Sequence, residues 1–114
     1  MINIKRVYEP PQRVDGTRVL VDRLWPRGLT KSAARIDVWL RDVAPSDALR
    51  KWFAHDPAKW PGFQQRYRTE LKNNREPLQK LKQLEKARRV ITLVYAASDT
   101  LRNNAVVLAR LLNR

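Results

Sequence analysis

The sequence contains no cysteine, a single histidine and only three glycines. Without cysteine there is no disulfide, no thiolate nucleophile and no cysteine-ligated metal. One histidine also argues against a dedicated metal centre. We therefore predict neither a metal site nor a cofactor. The chain has no glycine-rich phosphate loop, dinucleotide-binding fingerprint or helix-turn-helix signature, which excludes the commonest nucleotide-binding and DNA-reading motifs.

Long apolar runs are missing as well. No window approaches the ~18 consecutive apolar residues of a membrane-spanning helix, and the N-terminal Met1–Arg6 lacks the apolar core of a secretory signal. Together with the absence of cysteine, this composition predicts a cytoplasmic protein that makes no membrane contact. A length of 114 residues predicts a single domain over residues 1–114.

The chain is rich in basic residues: 24 lysines and arginines against 11 acidic residues give a formal net charge of +13. A positive field of this size favours nucleic acids, phosphate-bearing ligands or acidic proteins as partners. A generally basic, solvated surface with no specific partner is the alternative, and charge alone does not separate the two. The oligomeric state is left open.

Hydrophobic patterns predict three strands and a series of helices. Residues 2–7 alternate, residues 18–23 begin with an apolar run, and residues 90–95 are apolar on both faces, as in a central strand. Residues 36–43 are ambiguous, but their β-branched and aromatic content favours a strand. Residues 25–35 are expected to form an irregular loop.

Four later segments show helical spacing of apolar residues. Ser46 is expected to cap the first, and Ser98 or Asp99 the last. Their apolar faces are formed by Leu49, Trp52 and Phe53; by Phe63, Tyr67 and Leu71; by Leu78, Leu81, Leu84 and Ala87; and by Leu101, Ala105, Leu108 and Leu112. The element order predicts an α/β fold, with a short, largely parallel sheet and helices on both faces.

Polar groups follow two of the predicted strands and suggest a site where these strands end. Asp22, Arg23 and Arg27 follow one strand, with Gly28 closing the turn, and Tyr95, Ser98 and Asp99 follow the other. In α/β proteins ligands bind at the carboxyl ends of parallel strands, and the forked arginine donors suit phosphate or carboxylate. Alternatively, the aspartates pair with the arginines and only brace the loops.

Tryptophan and histidine are the other candidates. Trp25, Trp39, Trp52 and Trp60 each lie near a basic residue, a combination that can stack nucleobases. Trp39 and Trp52 are expected in the core, whereas Trp25 and Trp60 precede prolines and are expected to be exposed. His55 has a side chain suited to proton transfer near neutral pH, although a structural role beside the helix end is the alternative.

Several motifs are distributed over nearly the whole chain: residues 21–29 (VDRLWPRGL), 39–40, 44–46, 49–53 (LRKWF), 55–57 (HDP), 93–97 (LVYAA) and Asp99. With these motifs the sequence resembles the domain of unknown function 488 family, in its short YeaO-like branch. The resemblance implies a compact α/β protein with no established activity. Relatives often carry a histidine where this chain has Arg102, which disfavours a mechanism with two imidazoles.

We predict from these patterns that the protein binds a phosphate-bearing ligand, either a nucleotide or a nucleic acid, at its strand ends. The first alternative is a hydrolase or transferase acting on a phosphorylated substrate through Asp22, His55 and Asp99, assisted by Mg²⁺. The second is a nonenzymatic module that meets acidic partners through the basic residues of 66–89. The ligand-binding candidates are Arg23, Trp25, Arg27, Gly28, Lys51, His55, Lys59, Tyr95, Ser98, Asp99 and Asn104.

Overall fold

A computed structural model describes residues 1–113 and shows a four-stranded sheet in which every strand pair is parallel. The strands are β1 (Ile2–Arg6), β2 (Thr17–Leu20), β3 (Val38–Trp39) and β4 (Ile91–Tyr95). Their order is β1-β4-β2-β3, so β4 is central, as its apolar run predicts. Since Arg6 lies opposite Tyr95 and Leu20 opposite Val94, the carboxyl ends of β1, β2 and β4 share one edge.

Five α-helices cover the two faces of this sheet unequally. They are α1 (Lys31–Ala34), α2 (Asp47–Phe53), α3 (Trp60–Asn73), α4 (Glu76–Ala87) and α5 (Asn104–Leu112). The apolar residues of α2 to α5 form the main core with one face of the sheet. The short α1 and its flanking loops cover Leu20 and Val94 on the other face. No helix within residues 1–113 is long and apolar enough to cross a membrane.

The predicted strand over residues 36–43 is largely wrong. Only Val38–Trp39 is strand, and a 3-10 turn follows at Arg41–Val43. The N–H groups of Asp37 and Leu40 donate to carbonyls of β2. Because β2 itself ends at Leu20, β3 has no partner beyond this point.

The region expected to be irregular, residues 25–35, contains α1. Thr30 caps this helix, since its Oγ1 accepts the N–H of Ala33. The expectation that Trp25 and Trp60 are exposed is also wrong, because both are half-buried. Trp25 packs edge-to-face on Trp39, with ring centroids 5.5 Å apart.

The start of the last helix differs from the prediction. Neither Ser98 nor Asp99 caps α5; the cap is Asn103, whose side chain accepts the N–H of Val106. Asp99 instead accepts the N–H groups of Leu101 and Arg102 and closes a turn before the helix. Leu101 therefore lies outside the helix and is 69% exposed rather than part of its buried stripe.

Candidate functional site

Asp22 lies at the centre of the strand-end site and joins three elements. Its Oδ2 accepts the N–H of Ala96, just after β4, at 2.8 Å. Its Oδ1 accepts Nδ2–H of Asn104, the first residue of α5, at 3.2 Å, and the same amide group donates to the Val21 carbonyl at 2.8 Å. The Asp22 carbonyl accepts the indole N–H of Trp39. The two predicted strand ends therefore meet, and Asp22 connects them to α5.

Burial is the dominant influence on Asp22, and the pKa of its carboxyl is raised. Burial raises the pKa of its carboxyl, while the N–H of Ala96, the amide of Asn104 and the nearby charge of His55 act in the opposite direction. The geometry fits the bracing interpretation of Asp22, since both carboxylate oxygens hold groups of the protein itself.

Arg23 extends toward the segment before α2. Its Nε donates to the Pro45 carbonyl and its Nη2 to the Ala44 carbonyl, both at 3.3 Å. The side chain is half-buried and forms no ion pair with any other residue of 1–113. Its charge is therefore held by neutral carbonyl groups rather than by a carboxylate.

Arg27 and Gly28 lie in a loop that is fixed to the end of β1. The Tyr8 hydroxyl donates to the Arg27 carbonyl at 2.8 Å, whereas the Arg27 side chain is exposed and unpaired within the described residues. Gly28 has a φ of 82°, in the left-handed region that favours glycine. The sequence reasoning missed the role of Tyr8, whose only signal is an aromatic residue just after an edge strand.

Arg6 is a second residue that the sequence reasoning missed. Its Nε donates to the Ala97 carbonyl and its Nη2 to the Ala96 carbonyl, and its guanidinium lies 5.1 Å from the centroid of the Tyr8 ring. It therefore holds the chain leaving β4 against the end of β1. Strand register could have indicated this role, since parallel pairing of β1 with β4 places Arg6 opposite Tyr95.

The residues after β4 are also occupied by local contacts. Asp99 accepts two backbone N–H groups and pairs with Arg102 at 3.2 Å, and the N–H of Leu101 is the main cause of its lowered pKa. Tyr95 is buried, and burial raises the pKa of its hydroxyl. Ser98 is exposed at the edge. Asp99 thus also fits the bracing interpretation.

Three of the predicted ligand-binding residues, Lys51, His55 and Lys59, lie on α2 or in the segment that follows it. His55 is exposed and has a left-handed φ of 58° directly after the α2 cap. Lys59 instead turns back onto α2, donating to the Trp52 carbonyl at 2.9 Å and lying 5.2 Å from the centroid of the Trp52 ring. Lys51 is exposed on α2. Of these three, only His55 carries a charge that lowers the pKa of Asp22.

Trp25 offers less surface for base stacking than its sequence context suggests. Its indole N–H donates to the Leu29 carbonyl at 2.7 Å, and its ring packs on Trp39 and on the smaller core at the α1 face of the sheet.

Two concave regions of about 390 and 340 Å³ lie away from the strand-end site, on the outer side of α3 and between Trp39 and α4. Residues 1–113 contain no cluster of three or more His, Asp or Glu side chains that could hold a metal ion.

Comparisons with known proteins show relatives that are all named as uncharacterised. The chain is 44% identical over 112 residues to Rv3073c of Mycobacterium tuberculosis, covering 98% of this chain and 93% of that protein. It is 40% identical over 108 residues to YeaO of Escherichia coli, covering 95% and 93%. No solved structure matches the chain. Residues 1–114 match the family described as the inactive DUF488-N3 subclade, and the chain therefore belongs to this family.

Proposed function

We propose that this protein binds a phosphate-bearing ligand, a nucleotide or a nucleotide unit of a nucleic acid, at the carboxyl ends of β1, β2 and β4. The observation that supports this most is the pair of guanidinium groups, Arg23 and Arg27, that follow β2 without a carboxylate partner among residues 1–113. An uncompensated arginine is a strong donor to phosphate, and a free guanidinium fork permits two parallel hydrogen bonds. The fork of Arg27 is exposed, whereas Arg23 already donates to Pro45 and Ala44 and would add its charge and its remaining donors.

The acidic groups nearby support the same proposal because their oxygens already have partners. Asp22 is bonded to Ala96 and Asn104, and Asp99 is bonded within its own turn. Glu9 accepts the N–H of Arg6. A phosphate group approaching Arg27 would therefore meet an exposed cation on a loop whose backbone Tyr8 holds in place.

Binding without catalysis is the preferred form of this proposal. The candidate acid–base groups Asp22 and Asp99 both hold loops, and the family itself is described as inactive. The absence of cysteine is consistent with the cytoplasm as the proposed compartment. Turnover of a phosphorylated compound that disappears in Asp22→Asn or His55→Ala would favour the hydrolase or transferase alternative instead.

The proposal can be tested by calorimetric titration with ATP, GTP and inorganic pyrophosphate at low and high salt. We expect Arg27→Ala to weaken binding by about 10- to 100-fold, since hydrogen bonds to charged groups contribute about 1.5–3 kcal/mol. Arg13→Ala is the matched control, because Arg13 is exposed in a turn before β2, at the opposite edge of the sheet. Equal losses in both variants, or no binding by the wild type, would refute the proposal.

A further inference from the structure

The outer sides of α3 and α4 both carry exposed basic residues that the strand-end site does not involve. Residues 66–89 contain nine basic and three acidic residues. We define the cationic helical surface by its exposed cations and the exposed polar side chains between them: Arg68, Lys72, Arg75, Lys82 and Lys86, with Gln65, Thr69, Gln79 and Gln83.

Helical phase places these groups on the side of each helix that faces solvent. In α4, Pro77 and Leu81 are buried, whereas Lys82 and Lys86 are exposed one turn apart. Arg75, Gln79, Lys82 and Lys86 follow the spacing i, i+4, i+7 and i+11, so they form one stripe about 16 Å long. In α3, Phe63, Tyr67 and Leu71 are buried, whereas Arg68 and Lys72 are exposed one turn apart.

The acidic residues of this segment compensate little of its charge. Glu70 is directed at Ser46, accepting its backbone N–H at 2.9 Å and its hydroxyl at 2.5 Å. Glu76 pairs with Lys80 at 3.6 Å. Glu85 is half-buried beside the core face of α4. Within the described residues, the cations of the cationic helical surface form no ion pair.

The surface also lacks the apolar groups that other partners need. The exposed large apolar side chains are Met1, Ile4, Tyr8, Val14, Leu24 and Leu101, none of which lies on α3 or α4. Protein interfaces are anchored by buried aromatic and apolar side chains. An amphipathic helix on a membrane needs a free apolar face, but those of α3 and α4 are buried in the core. A phosphodiester backbone needs only cations and hydrogen-bond donors.

We infer that the cationic helical surface binds the phosphodiester backbone of a nucleic acid without reading its sequence. Lysines and arginines neutralise phosphates, and the glutamines and Thr69 donate to phosphate and sugar oxygens. This surface is independent of the strand-end site, since it shares no residue with it. Loss of ligand binding at the strand ends would therefore leave nucleic-acid binding by this surface unaffected, and the two can be tested separately.

The test is fluorescence anisotropy with labelled duplex DNA, duplex RNA and single-stranded DNA between about 50 and 200 mM salt. The informative variant is Lys82→Gln with Lys86→Gln. Its charge-matched control is Arg13→Gln with Lys31→Gln, two exposed residues away from α3 and α4. Circular dichroism and thermal melts establish that each variant folds.

We expect the wild type to bind at low salt and to lose affinity steeply as salt rises. The Lys82/Lys86 variant should bind more weakly, and its slope of log Kd against log salt for duplex should fall by about 1.8, near 0.9 for each lost phosphate contact. The control pair should keep the wild-type slope. A preference among the three oligonucleotides would identify which nucleic acid the surface fits.

Three outcomes would overturn the inference. The first is no binding of any oligonucleotide at low salt. The second is an equal loss in the control pair, which would assign the effect to net charge rather than to this surface. The third is equally tight binding of polyglutamate that depends on Lys82 and Lys86, which would assign the surface to acidic proteins.

Discussion

The Asn104 amide lies 3.2 Å from the Asp22 carboxylate although 82 positions separate the two residues in the sequence. The same amide group donates to the Val21 carbonyl, so one side chain fixes the end of β2 to the start of α5. This contact holds the loop that carries Arg23 and Arg27, and the strand-end site therefore depends on it.

Asn104→Ala should destabilise the fold by about 1–3 kcal/mol, because it leaves the Val21 carbonyl without its side-chain donor in a buried setting. Urea denaturation of the wild type and the variant measures this difference. Asn113→Ala, at an exposed helix end, is the control and should change the free energy of unfolding by less than about 0.5 kcal/mol. Equal effects would show that Asn104 does not hold the site.

The free energy of unfolding should fall as pH rises through the pKa of the Asp22 carboxyl. Burial raises its pKa above the ordinary value of 3.8, so the folded state holds the proton more tightly than the unfolded state. The stabilisation is complete below pH 3.8 and is lost as pH rises through the raised pKa. A carbon-13 titration of the Asp22 carboxyl should give a midpoint above 3.8; a midpoint below it would contradict the prediction.

Asp15 should behave in the opposite sense. It is buried between Lys5 and Arg18, at 3.2 and 2.7 Å. Burial alone raises its pKa, but the Gln12 N–H, Lys5 and Arg18 together lower it below 3.8. Its contribution to stability is therefore present above pH 3.8 and lost as pH falls through the lowered value.

Asp15→Asn should remove this acid dependence. It should also destabilise the protein by about 3–5 kcal/mol near neutral pH, because the buried Arg18 and the partly buried Lys5 then lack their carboxylate. Arg18 Nη2 is already buried without a hydrogen-bond partner, which leaves little compensation. Chemical denaturation at several pH values measures both effects, and an unchanged pH profile in Asp15→Asn would contradict the prediction.

Ser46 and Glu70 should act as one unit. The Ser46 hydroxyl caps α2 by accepting the N–H of Leu49, and Glu70 accepts that hydroxyl from α3. Ser46→Ala and Glu70→Gln should each cost about 1–2 kcal/mol. In a double-mutant cycle their combined effect should fall short of the sum by more than 0.5 kcal/mol. Additive effects would show that the two residues stabilise the fold independently.

Gly16 and Gly28 provide a matched pair for backbone effects. Both have positive φ, but a Cβ at Gly16 would lie 2.4 Å from the Val90 carbonyl oxygen, whereas one at Gly28 would meet nothing within 4 Å. Gly28→Ala should cost about 1 kcal/mol from conformation alone, and Gly16→Ala clearly more. Thermal melts of the two variants rank them, and similar losses would contradict the steric argument.

Three of the four strands, β1, β2 and β4, could be predicted because alternation or a short apolar run is local information. The α2 cap at Ser46 was predicted for the same reason and is confirmed. The start of α5 was not, since Ser98, Asp99 and Asn103 are all chemically able to cap a helix. Packing against the sheet places the helix start at Asn104, and that choice depends on contacts far away in the sequence.

In the candidate site, too, some features could be predicted from local sequence and others depend on packing between distant segments. The meeting of residues 22 and 96 follows from parallel pairing, and residue types alone indicated a basic edge. The orientation of Lys59 toward Trp52 and of Arg23 toward Ala44 depends on where α2 packs, which no local pattern encodes. The binding roles of the strand-end residues stay predictions.

The brevity of β3 has a consequence for how copies of this protein can associate. A strand of two residues, Val38–Trp39, followed at once by a turn offers few free backbone groups to a strand from another molecule. Sheet extension between molecules is therefore disfavoured at this edge and is directed to the five-residue edge strand β1. The two edges of the sheet therefore differ: the β3 edge is too short to pair well with a strand from another molecule, whereas the β1 edge is long enough.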